Sequence, residues 1–146
     1  LSAAECIDEW YLGRNDPVGL LWEWRELTGR SDLGETGLGR LAAAWERLGN
    51  WAMAAAVWSE AAERRPSHAP SALNAGRTLL WAGQYEAGTA QLARAAEFGG
   101  EIAGSAADIL EGCAQKAARD GYDGEAEKMR ALAAAIRNRG EKAATP

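Results

Sequence analysis

The chain has 146 residues, about one domain's worth and enough to bury a real core. Its net charge of −5 argues against nucleic acid as the main partner, because neutralising phosphates needs a basic surface, and it is too small to imply disorder. No run of about 18 apolar residues exists, so no segment reads as a membrane span. Alanine is abundant and β-branched residues are few, which favours helices throughout. Cys6 and Cys113 lie too far apart to suggest a disulfide framework or a metal-ligand spacing, and no signal peptide is visible. The expected setting is therefore reduced and cytoplasmic. The chain begins at Leu1 rather than Met, which fits a trimmed chain, a processed protein or a fragment.

The first predicted helix carries Ala4, Ile7, Trp10 and Tyr11, an apolar stripe at helical spacing. The stretch from Gly13 to Pro17 breaks it. Asp16 as N-cap with Pro17 at the first helical position predicts a helix start. The second helix carries Leu20, Leu21, Trp24 and Leu27 and ends at Thr28-Gly29. Gly29 to Gly39, with Gly34 and Gly37, reads as a loop between helical hairpins. Its Gly-x-x-Gly-x-Gly order lacks the preceding strand that a phosphate loop requires.

From there the chain repeats itself. Gly49, Trp51, Trp58 and Ala61 are followed 34 residues later by Gly83, Tyr85, Leu92 and Ala95, and the same offset backwards finds Trp24 and Leu27. A fixed period of this size is the signature of a repeat architecture. Asn50 stands as an N-cap before Trp51, and Pro66 and Pro70 bracket a tight break around His68. Beyond Ala103, the residues Ala106, Ile109 and Cys113 continue the first-helix positions. The turn Asp120-Gly121-Tyr122 arrives three or four residues late, close to one helical turn, which keeps the same face inward. The last helix carries Ala126, Met129, Leu132, Ala133 and Ile136 on one side and Glu125, Glu127, Lys128, Arg130, Arg137 and Arg139 on the other. From Gly140 the chain reads as a frayed tail. The seven tryptophans are expected to anchor packing between stacked helices.

These residues resemble the tetratricopeptide repeat (TPR), a helix–turn–helix unit of 34 residues. Residues 35–68 supply Leu38, Leu41, Ala42, Trp45, Gly49, Trp51, Ala54, Trp58, Ala61 and Pro66 of its pattern. Residues 69–102 supply Ala72, Ala75, Gly76, Leu79, Gly83, Tyr85, Gly88, Leu92 and Ala95. Two positions depart from it, since Gly88 replaces Ala and Gly100 replaces Pro. The resemblance implies an all-α fold, a right-handed α-solenoid (superhelix) of about four TPR-like helix–turn–helix repeats. The single domain then divides into a divergent repeat at 1–34, repeats at 35–68 and 69–102, a divergent repeat with a capping helix at 103–140, and a tail at 141–146.

Little in the chain points to catalysis. His68 is the sole histidine and reads as an exposed loop residue, with no second ligand for zinc, no nucleophile elbow and no phosphate loop. Asp108 and Glu111 share a helical face and read as solvated surface. The expectation is no enzyme, no metal and no cofactor. In the family resembled, the first helices line a concave groove. Carried over, the partner-binding groove comprises Arg40, Ala43, Arg47, Leu73, Asn74, Arg77, Trp81, Asp108 and Glu111, with Glu46 and Leu80 beside them. Guanidinium groups grip carboxylates in bidentate fashion and a tryptophan anchors apolar side chains. A protein or peptide partner with acidic and apolar residues is therefore expected, with no nucleic acid and no membrane. The competing reading pairs Arg40, Arg47 and Arg77 with Glu46, Asp108 or Glu111 as ordinary surface. Of the positions with which some family members hold a C-terminal carboxylate only Asn74 fits; Gly39, Ala43, Gly104 and Asp108 do not, which argues against a chaperone-tail receptor. The expected function is a non-enzymatic protein–protein interaction module: an adaptor, chaperone or scaffold. Alternatives are a regulatory or sensing TPR domain of a larger bacterial protein, or an accessory subunit of an enzyme. Self-association through Trp10, Trp22 and Trp81 is a further expectation.

Overall fold

The structure, a computed structural model, describes residues 3–28 and 34–144. Among the described residues the regular elements are eight helices: α1 (Ala3–Gly13), α2 (Pro17–Thr28), α3 (Gly34–Arg47), α4 (Trp51–Arg64), α5 (Ala69–Trp81), α6 (Tyr85–Ala96), α7 (Gly100–Arg119) and α8 (Asp123–Ala144). Each packs on the next in sequence; α5 also reaches α7, and α6 reaches α8. Contacts confined to near neighbours are what a stacked helical repeat produces.

The turns inside each pair follow from local chemistry. Asp16 caps α2, its carboxylate accepting from the Gly19 N–H at 2.9 Å, and Asn50 caps α4, accepting from the Met53 N–H at 3.1 Å. Gly49 and Gly83, one period apart, take φ of +74° and +83°, a conformation that only glycine enters freely. Near the middle of each second helix, Trp24, Trp58, Leu92 or Met129 is packed into a core, and Trp58 alone keeps partial exposure. The fourth of these lies 37 residues after the third, so the late turn expected from the sequence costs no change of face. The extra turn is housed in α7, which has 20 residues against 13 in α5.

Two cores result. One gathers Leu20, Leu21, Trp24, Leu27, Leu38 and Leu41 around α2 and α3; the other gathers Leu80, Leu92, Leu110, Met129 and Ile136 across α5 to α8. Four expectations need correction. Gly34, Gly37 and Gly39 lie inside α3, not in a loop, and an added Cβ at Gly39 would meet the Trp58 ring at 3.5 Å, an ordinary packing contact. Residues 29–33 of that expected loop lie outside the described residues. The α8 helix runs through Gly140 to Ala144, past the expected fraying point, while 145–146 lie outside the described residues. Trp10 does not join the half-buried stripe of α1: it is 55% exposed, edge-on to Tyr11 and under the Arg14 guanidinium. Finally, His68 is half-buried, with Nδ1 2.7 Å from Ser71 Oγ.

Candidate partner-binding surface

Helical spacing places the expected residues on one face of each first helix. Arg40, Ala43 and Arg47 are three and four residues apart on α3; Asn74, Arg77 and Trp81 repeat those intervals on α5. Asp108 and Glu111 are one turn apart on α7.

The arginines are not left open in the way the sequence suggested. Arg40 pairs with Asp8 of α1, and the other oxygen of Asp8 accepts from the Trp24 indole N–H at 2.8 Å. Arg77 pairs with Glu46 of α3 at 2.7 Å, and the other oxygen of Glu46 accepts from the Trp58 indole N–H at 3.0 Å. The second guanidinium nitrogen of Arg77 donates to Asn74 at 3.2 Å. Each unit thus joins a carboxylate on one first helix, a tryptophan on the second helix and an arginine on the next repeat. The physical reason is that an indole N–H brought into a core needs an acceptor, and a mostly buried carboxylate needs cationic donors. Among the described residues no buried side-chain nitrogen or oxygen lacks a partner. Glu46 was expected beside the groove, but Asp8 and the two tryptophans were not connected to it. The missed signal is the acid on the first helix that precedes each Trp of the period.

Asp108 and Glu111 do not flank those arginines. Both bind Arg137 of α8, and they are exposed, so the pairing contributes little stability. Leu73 is half-buried against the carboxy-terminal core. Arg47 is exposed and forms no ion pair among the described residues.

Trp81 ends α5 and keeps 40% of its surface exposed. It stacks on Trp51 with ring centroids 5.3 Å apart and an interplanar angle of 29°, and the Lys116 ammonium lies 5.2 Å from its ring centre. Burial holds the phenol pKa of nearby Tyr85 above its ordinary range, although the Lys116 charge pulls it the other way. Burial likewise pushes the Cys113 thiol up, so that thiol is poorly suited to nucleophilic chemistry.

At the other end of the α5 face lies a cavity of about 430 Å³, lined by Arg40, Ala43, Trp58, Arg64, Arg65 and His68 among others. Among the described residues no group of three or more acidic, histidine or cysteine side chains is placed to hold a metal. No helix among them is long and apolar enough to cross a membrane.

The chain matches no protein-family model and no curated protein. Its fold is that of known structures. The crystal structure of MamA, a TPR-like helical repeat protein, superposes with a TM-score of 0.58 at 11% identity, covering 97% of this chain and 98% of that one. The RS-1 ArsTM double mutant of MamA gives 0.54 at 18% identity, covering 92% and 93%. The chain is thus an all-α helical repeat similar in fold to MamA.

Proposed function

We propose that this protein is a non-enzymatic interaction module, an adaptor or scaffold, that holds a partner segment along the surface of α3 and α5. The observation that carries this reading is Trp81, a large ring held rigid by Trp51 and Lys116 yet open to solvent. A pre-ordered aromatic anchor loses little side-chain entropy on binding and is the kind of residue that dominates interfaces. The MamA-like fold supports a protein-interaction role. The polar units around Arg40 and Arg77 act as fixed walls, since their donors are already oriented, while Arg47 offers an exposed charge.

The test is selection of peptides from a random display library on the immobilised protein. Selected peptides are expected to carry apolar and acidic residues and to lose about tenfold or more in affinity with Trp81→Ala. Trp22→Ala, on the distant α2 helix, serves as the control, since Trp22 is also largely exposed. Affinity that survives Trp81→Ala and falls with Trp22→Ala would move the site to the first hairpin and sink this reading.

A further inference from the structure

We propose that the cavity between α3, α4 and the start of α5 is a subsite for one carboxylate of the partner, supplied by an aspartate or glutamate side chain. This rests on the peptide-binding reading above. The cavity encloses about 430 Å³, within the range that holds a side chain and its neighbours. Its polar lining is cationic or hydrogen-bonding: Arg40, Arg64, Arg65, His68 and Ser71, with no carboxylate among the described lining residues. That is a local inversion of sign in a chain of net charge −5. Such an island attracts an anionic group and repels the rest of a basic partner surface.

The donors are present in spite of the existing ion pairs. A guanidinium has five N–H donors. Arg40 gives one nitrogen to Asp8, and Arg64 gives one to Glu60 at 2.7 Å, which leaves the remainder of each fork available. Those two outer carboxylates also cancel part of the charge, and Arg65 is engaged in an interaction of its own. The cavity therefore suits a singly charged carboxylate better than a doubly charged phosphate. Its remaining lining, Leu38, Ala43, Ala61 and Trp58, is apolar and suits the methylene arm of an acidic side chain.

Geometry adds a spacing rule. Ser71, Asn74 and Trp81 fall at intervals of three and seven residues on one face of α5. Ten residues of helix put Ser71 about 15 Å from Trp81 along the axis. An extended chain covers that distance in about four or five residues. The partner segment is therefore one in which an acidic residue lies four or five positions from an apolar one.

Nuclear magnetic resonance of the whole chain tests this with three probes. The first is the peptide acetyl-Leu-Ser-Gly-Ser-Glu-Ser-Gly-Ser-Leu-amide, which allows either chain direction; the second replaces its Glu with Gln; the third is inorganic phosphate. The Glu peptide is expected to shift the Trp58 indole, the Ser71 amide and the Trp81 indole. The Gln peptide should shift only Trp81, with affinity about tenfold lower. The double variant Arg64→Gln, Arg65→Gln, altering two exposed positions, should bind both peptides alike, with an unchanged helical circular dichroism spectrum. Equal effects of the two peptides in the unaltered protein would overturn the subsite while leaving the interaction reading intact. Phosphate shifting Trp58 and Ser71 where the Glu peptide does not would overturn it in favour of a free-anion site. If neither peptide shifts Trp81 either, the interaction reading falls with it.

Discussion

The two cores solve the same packing problem with different chemistry. In the amino-terminal part, the key position of the second helix is Trp24 or Trp58, and each indole N–H is bound by an acid that is bound in turn by an arginine of the next repeat. In the carboxy-terminal part the same position is Leu92 or Met129, fully buried with no nitrogen or oxygen to satisfy. There the helices close in on glycine, as α1 also does on Gly19 of α2, where an added Cβ would stand 2.8 Å from the Tyr11 ring. A Cβ on Gly76 would stand 2.6 Å from Leu92, and one on Gly88 would stand 2.7 Å from Leu80. The polar solution leaves charged groups near the surface, where the candidate site lies; the apolar one leaves a dry, tightly packed end. The contrast teaches that the repeat keeps a position and a burial pattern, while the means of filling it decides whether the adjacent face carries chemistry.

Breaking the amino-terminal solution should have the larger effect. Trp24→Ala removes a ring that is only 1% exposed and strips Asp8 of one of its donors. We expect a loss of about 3–5 kcal/mol in stability, read by denaturant unfolding. A cost under about 1 kcal/mol would show that the indole is not what holds α1 and α3 to α2.

Breaking the carboxy-terminal solution should cost less. Gly88→Ala restores the residue that the repeat pattern favours, yet the added methyl meets the Leu80 side chain at 2.7 Å and its backbone nitrogen at 3.0 Å. Overpacking of this kind is expected to destabilise by about 1–3 kcal/mol in the same measurement. An increase in stability would mean that α5 and α6 separate freely, and that the departure from the pattern has no packing cause.

The sequence made the fold legible because its signals are local and periodic. The spacing of Gly49 and Gly83, of Trp58 and Leu92, and the cap at Asn50 each depend on residues close in the chain. The groove residues were legible only as helix faces. What each side chain does there depends on partners 31 or 32 residues away, as Arg77 is from Glu46 and Arg40 from Asp8. Such pairings are set by how far one repeat slides along the next. The second unit shows this: its acid stands four residues beyond the place equivalent to Asp8, and its arginine three beyond that of Arg40, so the whole contact moves by about one turn. Asn74 occupies the vacated arginine position and binds Arg77 from there. The cavity was invisible for a related reason, because only the fold brings His68 and the exposed Arg64 and Arg65 beside Arg40 and Ala43 of α3.

The sharpest form of the comparison lies within the carboxy-terminal part itself. If glycine there is a packing device only where another chain segment presses on it, a glycine with open space around it should behave as an ordinary helix-weakening residue. Gly112, inside α7, would have nothing within 4 Å of an added Cβ. Replacing glycine with alanine inside a helix removes backbone freedom from the unfolded chain and favours the helical state. Gly112→Ala is therefore expected to stabilise the protein by up to about 1 kcal/mol, opposite in sign to Gly88→Ala. Two substitutions of identical chemistry on neighbouring repeats then differ only in what the new methyl group meets. Should both destabilise, the cause would lie in helix geometry common to the two sites, and the close approach at Gly88 would lose its explanatory role.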